Sequence, residues 1–218
     1  RPSTTRCVMP AAGSRAGSRS CRGCCARRLK TDSVAAPQLT DGTIVLNGHN
    51  LGDVEAQLAG EDEEQARRFG WYPARSTPES VRQAIERWQA EWKSGGARRT
   101  FAVREARTGS LAGGCELRLR DNRIAEMSYW TFAAFRDRGF ASRAVELGCR
   151  WAFAELAVER IELYVEPDNA ASRAVALRAG FTEEGTLRQR ERFGEERRDM
   201  VLYSRLPSDR GDASLGES

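Results

Sequence analysis

The sequence predicts an α+β domain built on a mixed, mostly antiparallel sheet, and three observations carry that expectation. Between residues 100 and 132 the chain alternates apolar and polar residues in three runs separated by short turns, the pattern of an antiparallel meander. The third run leads into a stretch of helical period and then another alternating run. A strand, a helix and a strand in that order form a crossover that sets the two strands parallel. Upstream lies a helix with both ends written in the sequence, Thr77 and Pro78 at its start and Gly95-Gly96 at its close.

A chain of 218 residues, 40% of them hydrophobic, is long enough for one domain with a sizeable core, expected over residues 38–207. Residues 1–37 are rich in Ser, Ala, Gly and Arg without a period and are expected to form a disordered basic tail. Eight basic residues and no acid fall in residues 1–30, so removing those charges from the net +4 leaves −4 for the rest. That mildly acidic body gives no support to nucleic acid as its partner. The tail fits an organellar transit peptide, a fragment or an upstream extension of the start; it shows neither an apolar signal core nor a clear amphipathic stretch. "CRGCC" (21–25) lacks a second ligand pair and a nearby histidine, so no metal site is expected. Cys115 and Cys149 read as small buried hydrophobes of a reducing compartment, which suggests the cytoplasm. No run approaches the roughly 18 apolar residues of a membrane span.

The elements follow in order. "TIVLN" (43–47) is a short strand, and Asp53 to Arg68 is weakly helical and acidic. The helix after Thr77 places Val81, Ile85, Trp88 and Trp92 on one face. "TFAVREA" (100–106), "GCELRLR" (114–120) and "RIAEMSYWTF" (123–132) form the meander, with Cys115, Leu117 and Leu119 inward and Glu116, Arg118 and Arg120 outward. A core-facing helix is expected over 139–157, a strand over 160–166 and a short helix over 170–179 closed by Gly180. Two last strands, "FTEEGTLRQRERF" and "RRDMVLYSRL", join across "GEE", and 208–218 are expected to be a disordered tail. His49 falls in the loop after the first strand and reads as a surface residue.

The chemistry concentrates in "FRDRGFASRA" (135–144), where the crossover enters its helix. A helix N-terminus presents unpaired N–H groups and a partial positive charge that favour anions. Gly139 has no Cβ to keep a phosphate from the backbone, Ala141 keeps a nearby position small, and Arg136, Arg138 and Arg143 offer charge-assisted contacts. The turn therefore reads as a pyrophosphate cradle, or more plainly as an exposed basic turn shaped by a glycine. There is neither a G-x-G-x-x-G after a first strand nor a P-loop.

"RDRGFASRA", followed by "EPDNAASRAVALRAGF", resembles the GNAT acetyltransferase superfamily. Arg136, Gly139 and Ala141 match its Arg/Gln-x-x-Gly-x-Gly/Ala pyrophosphate motif, and Asn169 with Gly180-Phe181 matches the segment after the next strand. "AEMSYWTF", "WAFAEL", "RIELYVEPDNAASRAVALRAGF" and "EGTLR" are closer still to the branch of the RimJ/RimL-type ribosomal-protein N-terminal acetyltransferases. The similarity covers about residues 39–206.

The resemblance implies a three-layer arrangement, helices on both faces of the sheet, with strands 123–132 and 160–166 splayed apart around acetyl-CoA, the cosubstrate. The first of these strands would hold the pantetheine arm and thioester carbonyl. Arg136, Arg138, Gly139, Phe140, Ala141, Ser142, Asn169 and Arg173 are the implied acetyl-CoA contacts. Many members place a tyrosine acid where this chain has Ala176; in the branch it resembles, a serine has that role, which Ser172 fits. Ser172 reads equally as a local cap. Glu126 matches a glutamate of the family wording and is the candidate base, its plain alternative being a solvated strand residue. Tyr129 and Trp130 are expected to wall the cleft. Asp137 occupies a position where relatives often have glycine; it is expected either to face solvent or to pair with a neighbouring arginine.

The implied activity is acetyl transfer from acetyl-CoA to a primary amine by direct attack, the acceptor being a peptide N-terminus or a small amine. A non-catalytic acyl-CoA-binding regulatory module is the competing reading, and a basic tail tethering the chain to nucleic acid is a third. Monomer and homodimer both remain open.

Overall fold

The computed structural model describes residues 35–193 and 195–209. The tail expected over 1–37 lies outside them up to residue 34, and the tail expected from 208 lies outside from residue 210. The described chain forms an eight-stranded sheet in the order β1-β2-β3-β4-β5-β6-β8-β7. The strands are β1 (Leu39–Thr40), β2 (Ile44–Asn47), β3 (Arg98–Glu105), β4 (Leu111–Leu119), β5 (Ile124–Thr131), β6 (Arg160–Val165), β7 (Thr182–Phe193) and β8 (Glu196–Arg205). Every neighbouring pair is antiparallel except β5 and β6, which are parallel as the crossover requires.

Five α-helices complete the layers: α1 (Val54–Gly60), α2 (Glu63–Phe69), α3 (Pro78–Ser94), α4 (Phe140–Glu155) and α5 (Ala170–Arg178). The weakly helical stretch expected from Asp53 to Arg68 is two helices, because Asp62 caps a new start by accepting the Gln65 N–H at 2.8 Å. In α3 the Thr77 hydroxyl accepts the Ser80 N–H and the Ser80 hydroxyl accepts the Thr77 N–H in return, a box worth about 1 kcal/mol. Gly95, left-handed at φ 66°, closes it.

Strand alternation decides which face each helix covers. Phe101, Cys115, Leu117, Ala125, Met127, Ile161 and Leu163 share the face that meets α4 and α5, and all are essentially buried. Gly148 allows α4 to lie close there: a Cβ on it would stand 3.1 Å from Met127 Cε. On the other face, α1 and α3 close over Trp130 and its neighbours, with Val54, Val81 and Ile85 forming a smaller apolar cluster. Glu116 lies on this second face as expected but is 8% exposed; its carboxylate accepts from Thr100 at 2.9 Å and from Arg118 at 3.2 Å.

Candidate active site

The site begins where the parallel ladder stops. β5 and β6 pair only at Ile124 with Arg160, Ala125 with Ile161 and Glu126 with Glu162. Beyond that point β5 stays with β4 as far as Thr131, and β6 stays with β8 as far as Val165. A wedge-shaped slot therefore opens between Met127–Thr131 and Leu163–Val165. Two glycines draw β5 toward β4: a Cβ on Gly113 would stand 2.1 Å from the Trp130 carbonyl oxygen, and one on Gly114 would stand 2.3 Å from the indole ring. Any side chain there would push the upper half of β5 off its neighbour.

At one side of the slot stands the first turn of α4. Gly139 is its N-cap at φ 75°, a conformation that costs other residues about 1–2 kcal/mol, and it supplies no side-chain cap. The opening amides of the helix are thus left to an outside acceptor. Phe140 is buried beside Phe135, and the Ser142 hydroxyl donates to the Gly139 carbonyl at 3.1 Å; Ala141 keeps the turn small.

The three arginines of this turn are already engaged by protein carboxylates. Arg136 reaches Asp62 at 2.6 Å and Glu64 at 3.0 Å at the start of α2, and its Nε donates to the Thr131 carbonyl at 3.2 Å. Arg138 pairs with Glu105 and lies 4.7 Å over the Phe140 ring. Arg143 donates to Asp41 at 2.7 Å. Asp137 is exposed at φ 58°, and no arginine among the described residues pairs with it, which settles the sequence alternative in favour of solvent.

On the other side stands the first turn of α5. The Asn169 side chain caps it by accepting the Ser172 N–H at 3.1 Å. The Ser172 hydroxyl lies 2.6 Å from the Tyr129 hydroxyl, so a side chain from β5 meets one from α5 across the slot. Burial pushes the Tyr129 phenol up to about 12, despite the hydrogen bond to Ser172. Arg173 turns to Tyr203 at 3.0 Å and Glu183 at 3.2 Å on β8 and β7, and Ala176 is wholly buried in the core. Tyr129 was expected only to wall the cleft. The signal available for more was its parity: it alternates away from Glu126 and toward the face where α5 must pack.

Glu126 is not brought to this pair. It lies on the opposite face of β5 at the closed floor of the slot, and Arg120 donates to its Oε2 at 2.5 Å. Beside it Glu162 accepts from Arg160 and from the Tyr164 hydroxyl, each at 2.7 Å. At the open end of β6, a cleft of about 510 Å³ separates Glu63, Glu64, Arg67 and Arg68 of α2 from Glu166, Asp168 and Arg198. Arg68 crosses it to Glu166 at 2.8 Å and Asp168 at 2.9 Å.

His49 corrects the sequence reading. It is 4% exposed, its ring 4.6 Å from Trp88 and 6.1 Å from Trp130, because α3 folds back over the loop that carries it. Burial pushes its pKa below the ordinary value, outweighing the pull of Asp53. Burial also opposes ionisation of Asp53, yet His49 and a two-pronged contact with Arg104 hold its carboxyl well below the usual range. Among the described residues no group of three or more His, Cys, Asp or Glu is placed to hold a metal ion. No described helix is long and apolar enough to cross a membrane.

Comparison with known proteins agrees with this geometry. Residues 44–182 match the acetyltransferase (GNAT) domain family. YdaF of Bacillus subtilis (strain 168), whose name assigns it provisionally to the ribosomal N-acetyltransferases, is 37% identical over 100 residues, 45% of this chain and 55% of that protein. The ribosomal-protein-serine acetyltransferase of Escherichia coli (strain K12) is 32% identical over 85 residues, 39% of this chain and 48% of that protein. The chain thus spans about half the length of these curated relatives. Mycobacterium smegmatis RimJ, solved in complex with CoA-disulfide, superposes with a TM-score of 0.67 at 22% identity over 81% of this chain and 88% of its own, which shows a shared fold.

Proposed function

We propose, from the premise that this chain belongs to the GNAT acetyltransferase family, that it moves an acetyl group from acetyl-CoA to a primary amine by direct attack. The observation that carries this reading is the slot itself, open between β5 and β6, with an uncapped helix start on one side and a paired hydroxyl on the other.

The amides of Gly139 to Ser142 would receive the pyrophosphate, and Phe140 and Ala141 keep the approach close to the backbone. Arg136 and Arg138 stay braced on their carboxylates and hold the turn in place. Asn169 holds the first turn of α5, and Arg173 anchors that turn to β8. Backbone N–H groups of β5 past Glu126, which β6 leaves unpaired, are the donors for the thioester carbonyl. Ser172 gives a proton to the departing thiolate, and Glu126 takes one from the amine, directly or through water, on the face opposite. An amine that arrives neutral needs no strict base, so loss of Glu126 slows the reaction without abolishing it.

The names of the two relatives support a ribosomal-protein N-terminus as acceptor, and a small amine is the other class the site admits. Every proposed group comes from one chain, so monomer and homodimer are equally served. The buried thiols Cys115 and Cys149, neither of them in a disulfide, support the cytoplasm as the place of action. Thiol release from acetyl-CoA, measured with a panel of N-terminal peptides and small amines, tests the proposal. Release with at least one amine is expected; binding without release for all of them would make the chain an acyl-CoA-binding module instead.

A further inference from the structure

Tyr129 was assigned no chemistry by its sequence context, and Ala176 leaves the helix without a phenol. The geometry supplies one from the neighbouring strand. We infer that Tyr129 orients the Ser172 hydroxyl and returns its proton, so that a strand tyrosine and a helix serine act together as the acid of the reaction; this rests on the transferase reading above.

Tyr129 has one O–H and lies 2.6 Å from Ser172 Oγ and 3.5 Å from the Ser172 carbonyl oxygen. The Ser172 N–H is committed to Asn169, so the turn is fixed before the hydroxyl chooses a direction. If the serine donated to the phenol, the phenolic proton would be left with the long contact at 3.5 Å as its outlet. If the phenol donates to Ser172 Oγ, the short bond is satisfied and the serine proton points into the slot. The second arrangement is assigned because it turns the unpaired proton toward the open slot, where water or the substrate sulfur accepts it, whereas the first leaves the half-buried phenol only its 3.5 Å contact. Burial of Tyr129 keeps the phenol protonated before the reaction, so its O–H is present to point at Ser172 Oγ; the same burial disfavours a lasting phenolate, so the proton it gives up is replaced from solvent as it leaves.

As the C–S bond breaks, its electron pair stays on sulfur, and sulfur takes the serine proton. Serine takes the phenolic proton in the same movement. Solvent then restores the phenol with a proton equivalent to the one the amine lost on becoming an amide. Atoms and charge balance without any other reagent. Tyr129 acts through Ser172 and is a positioning residue.

The test is a double-mutant cycle on the full chain, with kcat and the KM for acetyl-CoA measured for Tyr129→Phe, Ser172→Ala and the pair. Tyr129→Phe keeps the ring and its packing. It is expected to lower kcat about ten- to a hundredfold while KM and the calorimetric affinity for acetyl-CoA stay within about twofold. The double variant is expected to be no slower than Ser172→Ala alone, since without the serine the phenol has nothing to act through. Losses that multiply, or a Tyr129→Phe enzyme as fast as wild type, would overturn the inference while leaving the transferase reading intact. A wild-type chain that binds acetyl-CoA but acetylates no amine would defeat both.

Discussion

Two helices begin beside the slot, and their first turns are finished in opposite ways. At α4 the N-cap is a left-handed glycine with no side chain to offer, and the charged residues around it are bound to distant carboxylates. At α5 the N-cap is an asparagine that satisfies the Ser172 amide, and the serine hydroxyl is held from across the slot. An uncapped helix start is a place for an anion to complete. A capped one is a rigid mount, and a hydroxyl fixed on it can be aimed. Under the proposed function the same element would serve as a binding device or as a positioning device according to what fills its first turn.

The largest expected effect that separates the two is on turnover. Ser172→Ala should lower kcat about a thousandfold and leave acetyl-CoA affinity nearly unchanged, because the acid is lost and the cradle is not. A matching loss of affinity, read by calorimetry, would mean that α5 helps to bind and that the division is wrong. Asn169→Ala should have a smaller and mixed effect. Losing the cap costs about 1 kcal/mol and lowers Tm by about 2–4 °C. Freeing the serine turn should also lower kcat about tenfold. If Tm falls and kcat holds, the cap is structural only.

What was legible in the sequence is what depends on near neighbours. The helix after Thr77 was readable because its cap, its apolar stripe and its closing glycine are local. Gly139 was readable for the same reason: a backbone that must turn left-handed at a helix start calls for glycine. The partners of the arginines were not. Glu105, Glu64 and Asp41 lie 33, 72 and 102 positions away from the residues they hold, and no period or motif connects them. Read without those partners, three arginines in a turn look like free charge for a phosphate. Tyr129 was read only as a wall of the cleft because the contact that singles it out is with a serine 43 positions later, brought to it only when α5 packs. His49 was misplaced because two tryptophans from other elements enclose it. Glu126 was singled out as the candidate base, but the register that sets it on the floor of the slot, away from Ser172, is a property of the sheet.

The central claim is that the backbone at the start of α4 forms the pyrophosphate cradle and that the arginines around it are braces. Titrating acetyl-CoA calorimetrically into wild type, Gly139→Glu and the triple variant Arg136→Gln/Arg138→Gln/Arg143→Gln tests it most directly. The glycine variant puts a carboxylate and a strained left-handed residue where the phosphate would sit, and its affinity should fall more than about a hundredfold. The triple variant should stay within about tenfold of wild type, because exposed or half-exposed arginines already paired with carboxylates add little further attraction. The opposite ranking, with the triple variant losing binding and Gly139→Glu retaining it, would place the cradle in the side chains and contradict the account.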